Sequence, residues 1–229
     1  MNAETSAVGL PRKLVVHFHD DENWSLADYM VQTDRDDRPQ LVHRSRVSPV
    51  AKRSRLDRFA SYLRPKQGNK LLLSEVVGAY EFLSAEYALG DEVILLIDSN
   101  YEETSAPLIN AAEILAKHLH GGSRPSRSSD TRRRHGSAIP ASRIPIHCVA
   151  VREVAKNTSA WNELETRFPS GIKHIIHCAW YEDDRRCCST IFDSNGGIIS
   201  REICFSTNAY SPNLFMVRYL TPPLMLLEI

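Results

Sequence analysis

EVILLIDSNYEETSAPLINAAEIL, residues 92–115, is the stretch on which the fold turns. Val93, Ile94, Leu95, Leu96 and Ile97 are apolar without alternation. That pattern predicts a strand covered on both faces, as in the middle of a parallel sheet. A polar turn follows, and then a helix is predicted near 105–119. Pro107 would fit the first turn of that helix, where a missing N–H breaks no bond. Ser99 stands at the tip of the turn. A strand, a sharp turn and a helix with serine at the apex is the way some hydrolases expose a nucleophile, but their motif is G-x-S-x-G. Here Ile97 and Tyr101 occupy the glycine positions. The glycines permit close approach around a strained backbone, and bulk would crowd the turn. Ser99 is thus either a nucleophile or a residue that ends a strand.

On the N-terminal side, Leu72, Leu73, Val76, Val77, Tyr80 and Leu83 recur at three- and four-residue steps, which predicts a helix over 70–89. Gly90 follows, where helix C-termini favour glycine. KLVVHF, residues 13–18, is a short apolar run suited to a buried strand. Between Asp20 and Pro49 the chain is polar and charged and reads as a long surface excursion. On the C-terminal side, residues 121–143 are rich in Gly, Ser, Pro and Arg, and a flexible loop is expected there. A phosphate-binding basic patch is the alternative, although no interleaved aromatics support nucleic-acid binding. IPIHCVAV (144–151) reads as a strand, and NTSAWNELETRF (157–168) as a helix with Thr158 or Ser159 near its cap. IKHIIHCAWY (172–181) is apolar but unassigned by propensity, and REICF (201–205) reads as a strand. Strands alternating with helices imply an α/β fold, a mostly parallel sheet with helices on both faces.

The chain has 229 residues, 42% of them hydrophobic, and a formal net charge of zero. One α/β domain over 1–229 is an ordinary size for a single core. Neutrality gives no support to a nucleic-acid partner. No apolar run has the length of a transmembrane segment, and MNAETSAVGLPRK lacks the apolar stretch of a secretory signal. Five cysteines, with Cys187 and Cys188 adjacent, show no framework spacing, so reduced thiols and a cytoplasmic location are expected.

Four segments in order resemble the catalytic domain of the type VI lipase effector (Tle-type) phospholipases, an α/β-hydrolase group. KLVVHFHDDENW (13–24) is similar to that family's opening strand and Asp-Gly-Thr-Trp-Asn signature; Asp21 and Trp24 remain, Glu22 stands for the glycine, and two extra residues intervene. AYEFLSAEYALGDEVILLIDS (79–99) resembles its helix, Gly-Asp-Glu, strand and nucleophile run. IPIHCVAVREV (144–154) resembles its Val-Trp-Asp-Thr strand. IKHIIHCAWYEDDRR (172–186) and REICFSTNAYS (201–211) resemble its His-Ala stretch, Glu-Arg-Arg, and Trp-Phe-Pro-Gly-x-His. The likeness spans roughly the whole chain and implies an α/β-hydrolase-like fold. It places Ser99 at the nucleophile and Glu153 at the acid. The base would fall near Ala209, but no histidine follows His177. A serine without a base is a weak nucleophile. Two functions therefore stand open. The chain is a catalytically degenerate phospholipase- or esterase-like domain that acts as a binding or scaffold module for an unknown protein partner. Alternatively, it is an active hydrolase of phospholipids or esters using Ser99, Glu153 and a relocated base such as His174 or His177. Neither requires a cofactor or a metal.

Other groupings carry less. His17-x-His19 with Asp20 and Asp21 could chelate zinc from one strand face, as could His174-x-x-His177-Cys178 on a helix, yet neither has a further ligand set at standard spacing. Tyr101, Glu102 and Glu103 read as a solvated turn. Cys187-Cys188 beside Arg185 and Arg186 is a redox candidate only if the arginines stabilise a thiolate.

Overall fold

The computed structural model describes residues 11–20, 40–47, 66–125, 142–154, 164–181 and 186–205. The element order is β1 (Lys13–His19), β2 (Gln40–Arg46), α1 (Lys66–Glu86), β3 (Glu92–Asp98), α2 (Glu102–Gly121), β4 (Cys148–Val154), α3 (Leu164–Arg167), β5 (His174–Tyr181), β6 (Arg186–Phe192) and β7 (Ile198–Phe205). The strands form one sheet in the order β2-β1-β3-β4-β5-β6-β7. Pairings from β2 to β5 are parallel, and β6 and β7 add an antiparallel meander. The architecture is α/β with a mostly parallel sheet.

Alternation along the strands sorts the core. Leu14, Val16 and Phe18 of β1, Val93, Leu95 and Ile97 of β3, and Val149 and Val151 of β4 point one way. There they meet Val76, Ala79 and Leu83 of α1 and Leu108, Ala112, Leu115 and Leu119 of α2. Each fully buried leucine contributes about 2 kcal/mol of transfer free energy. Val15, Ile94, Leu96, Cys148, Ala150, Ile176 and Cys178 face the other way in a smaller cluster built from strands. Both long helices pack on the first face, and the described residues show no helix on the second.

β3 is the third strand of seven and buried along Val93–Asp98, as its unbroken apolar run predicts. Other expectations are corrected. The stretch read as surface excursion contains β2, an edge strand paired with all of β1. Its sequence QLVHRSR has too few apolar residues to announce a strand. Pro107 lies inside α2, beyond the first turn, because the helix starts at Glu102. β4 begins at Cys148 rather than at 144; Ile144 and Ile146 are buried in an extended lead-in whose His147 N–H donates to the Val93 carbonyl at 2.8 Å. The 172–181 segment is a strand, and β6, which was not anticipated, carries buried Ser189 and Thr190. Residues 126–141 of the expected loop, and 157–163 of the expected helix with Thr158 and Ser159, lie outside the described residues.

Candidate functional site

The chain runs from β1 to β2 on one side and reaches β3 on the other, so the sheet has its switch point between β1 and β3. In open α/β sheets ligand sites collect there, at the carboxyl ends of the strands. The same end of this sheet holds most of its buried polar side chains.

Strand parity decides which of them can meet. Asp20 continues the face of Phe18, Ser99 that of Ile97, Glu153 that of Val151, and His177 that of Ile175. All four thus lie on the helix-bearing side. The Ser99 hydroxyl is fully buried, 2.7 Å from the Tyr101 carbonyl, 2.7 Å from Thr104 Oγ1 and 3.2 Å from Asp20 Oδ2. Thr104 Oγ1 also donates to Asp20 Oδ2 and lies 2.8 Å from the Tyr101 carbonyl. Two hydroxyl protons therefore serve one carboxylate and one carbonyl. Each hydroxyl reaches both acceptors, so their two protons are divided between the Asp20 carboxylate and the Tyr101 carbonyl. None of Ser99's partners among the described residues is an imidazole. Its backbone N–H donates to the Arg152 carbonyl at 2.9 Å, so Ser99 extends the β3–β4 ladder.

The other two expected site residues do meet. His177 Nε2 lies 2.7 Å from Glu153 Oε1, and the Ser105 hydroxyl donates to Glu153 Oε2. Burial alone would raise the Glu153 carboxyl; His177 and the Ser105 hydroxyl outweigh it and hold the group below its ordinary range. The order is serine, carboxylate, histidine. A triad needs the imidazole in the middle, where it can take the serine proton. The structure thus assembles a carboxylate–imidazole pair and a serine, but joins the pair to Ser105 rather than to Ser99.

On the opposite side, His17, Asp98 and Arg152 meet by the same parity. The Arg152 guanidinium pairs with Asp98 Oδ1 and donates to Asn100 Oδ1 at 2.6 Å. His17 Nε2 is 3.8 Å from Asp98 Oδ2. Burial works to raise the Asp98 carboxyl, yet His17 and the Arg152 charge bring it below its usual value. Asn100 bridges the two sides: its amide oxygen accepts from Arg152, while its Nδ2 donates to Asp20 Oδ1 at 3.3 Å.

The zinc groupings are corrected by position. His17 and His19 do stack, with centroids 4.9 Å apart, but Asp20 turns to the other side of the sheet, and Asp21 lies outside the described residues. His174 and His177 are on a strand rather than a helix, and three residues apart they face opposite ways. Among the described residues no group of three or more His, Cys, Asp or Glu is placed to hold a metal ion. Cys188 is buried, and burial pushes the Cys148 thiol up to about 12 and the Cys178 thiol to about 11. Cys148 and Cys178 therefore supply no thiolate at neutral pH. Tyr101 is exposed, but Glu102 and Glu103, expected in the same turn, are the first residues of α2. Asp20, Thr104 and Ser105 are the site residues that sequence reasoning missed or assigned elsewhere. No described helix is long and apolar enough to cross a membrane. No protein-family model matches the chain, and no curated protein matches it significantly.

Proposed function

We propose that the chain is a divergent α/β-hydrolase-like domain, with helices on both faces of its sheet, related to the Tle-type phospholipases. Its catalytic serine is retired, and the domain acts in the cytoplasm as a binding or scaffold module. The supporting observation is the environment of Ser99. Its hydroxyl is shut in the core and shared among the Tyr101 carbonyl, Thr104 Oγ1 and the Asp20 carboxylate, and none of these partners among the described residues is an imidazole. Activation of such a serine in a hydrolase triad needs an imidazole within hydrogen-bond reach.

The 2.7 Å contact between Glu153 and His177 favours a second reading, an active hydrolase of lipids or esters that uses Ser99, Glu153 and His177. A fluorophosphonate probe and a short-chain p-nitrophenyl ester separate the two. The retired serine predicts no labelling, negligible ester turnover, and no change in either on Ser99→Ala. Labelling or turnover abolished by that substitution would establish the second reading.

A further inference from the structure

Two lysines, two carboxylates and two histidines collect at the amino end of the parallel strands, opposite the end that holds Ser99. Lys13 opens β1 and Glu92 opens β3; His147 immediately precedes β4, Lys173 precedes β5, and His174 is its first residue. Asp193 follows β6, which runs antiparallel and so finishes at this end. The His147 and His174 rings meet edge to face, with centroids 5.9 Å apart. Their backbones join the same corner. The His174 N–H donates to the His147 carbonyl at 3.2 Å, and the His147 N–H donates to the Val93 carbonyl at 2.8 Å.

His174 is 7% exposed, and its Nε2 is buried with no hydrogen-bond partner among the described residues. A neutral ring tolerates that placement far better than a charged one, because a buried charge without a partner is strongly disfavoured. Asp193 is the carboxylate that acts on His174, but its Oδ1 already accepts the Asn195 and Gly197 backbone N–H groups, each at 2.8 Å. Lys13 and Lys173 offset Glu92 and Asp193, so the cluster is neutral only while both rings are. Burial, the His147 ring and Lys173 hold His174 below the ordinary histidine value of 6.5, with Asp193 opposing. Burial holds His147 low as well; Glu92 opposes this, and Lys173 and Lys13 reinforce it.

We propose that His147 and His174 form a proton-operated latch on the corner where β3, β4 and β5 begin. With both rings neutral the strand ends are joined. Uptake of a proton by either ring loosens the amino end of the sheet while the carboxyl end stays assembled. The latch depends on no hydrolase ancestry.

A histidine held low takes up its proton more readily once the corner has opened. The closed corner is therefore favoured above the ordinary value of 6.5 and is lost as pH falls through the lower folded values. One pH unit below 6.5, each ring favours the opened form by up to about tenfold. This window lies above the range in which Asp and Glu carboxyls take up protons.

Amide exchange of the full chain between about pH 7.5 and about pH 5.5 reads the latch, since protection reports local opening. Protection of the His147 and His174 N–H groups should fall by roughly tenfold, while that of the Ser99 N–H, bonded to Arg152 at the other end, should hold. Combining His147→Gln with His174→Gln should abolish the fall, because glutamine does not titrate. His43, on β2 at the sheet edge, is also held low by burial and gives a background common to every variant. Equal falls at the two ends, or a fall that persists in the double variant, would overturn the latch. If the double variant does not fold, titration of the ring protons decides. Both midpoints should lie below 6.5 in the wild type; His147→Gln alone should raise that of His174, and Asp193→Asn should lower it. A His174 midpoint at or above 6.5, or one indifferent to His147→Gln, would also overturn the latch.

Discussion

The two sides of the sheet solve one problem in different ways. Asp98, on the face away from the long helices, is a buried carboxylate balanced by the Arg152 guanidinium with His17 nearby. Asp20, on the helix-bearing face, is a buried carboxylate held by hydroxyl and amide donors. An ion pair of this kind concentrates its energy in one partner. A neutral cradle spreads it over several, and so tolerates the loss of any one donor better. The first arrangement balances its charge with a cation; the second holds its charge by hydrogen bonds alone among the described residues.

The contrast can be broken hardest at Arg152. Arg152→Met leaves Asp98 buried without its main counter-charge and should cost about 3–5 kcal/mol, read from urea denaturation. A loss below about 1 kcal/mol, the range of a surface pair, would mean that Asp98 is not sustained by this cation.

Acid makes the next break. The Asp98 carboxyl lies below its ordinary 3.8 and Glu153 below its ordinary 4.5 in the folded chain. Below those ordinary values the unfolded chain binds more protons than the folded one, so stability present at neutral pH falls as pH drops. Denaturation midpoints should decline from about pH 4.5 downward through the folded values. Asp98→Asn should flatten part of that decline. An unchanged slope in this variant would remove Asp98 from the account.

The cradle should answer more gently and unequally. Thr104→Val removes a hydrogen bond to a charged group, for which about 1.5–3 kcal/mol is expected; Ser99→Ala, whose hydroxyl lies nearer the Tyr101 carbonyl (2.7 Å) than Asp20 (3.2 Å), should cost about 0.5–1.5 kcal/mol. If Ser99→Ala proves the costlier of the two under the same denaturant, Ser99 rather than Thr104 is the main donor to Asp20.

How far the sequence reveals these arrangements follows from what each depends on. β3, α1 and the existence of α2 are local: an unbroken apolar run or a three-to-four spacing records burial directly. β2 and β6 escape notice because QLVHRSR lies at an edge and RCCSTIF hides Ser189 and Thr190, so neither shows the apolar pattern of a strand. Chain resemblance draws attention to Ser99 and Glu153, the want of a histidine near Ala209 draws it to His174 or His177 as a relocated base, and parity then places Ser99, Glu153 and His177 on one face. The hydrogen bonds that decide their chemistry are invisible in sequence. Nothing around Asp20 indicates that it meets Thr104, and Ser105 reaches Glu153 only because α2 starts at Glu102, earlier than Pro107 suggests.

Strand order has a consequence for how the site comes into being. Phe192 and Ile198 pair across a tight turn at the β6–β7 corner, whereas Asp20 and Ser99 are 79 positions apart. Closing the longer loop costs about 2 kcal/mol more in chain entropy. The meander is therefore assembled from neighbouring chain. The cradle exists only once the ends of β1 and β3 lie side by side. Its donors and its anion are contributed by segments that share no local structure, so a fragment carrying either strand alone holds none of the site.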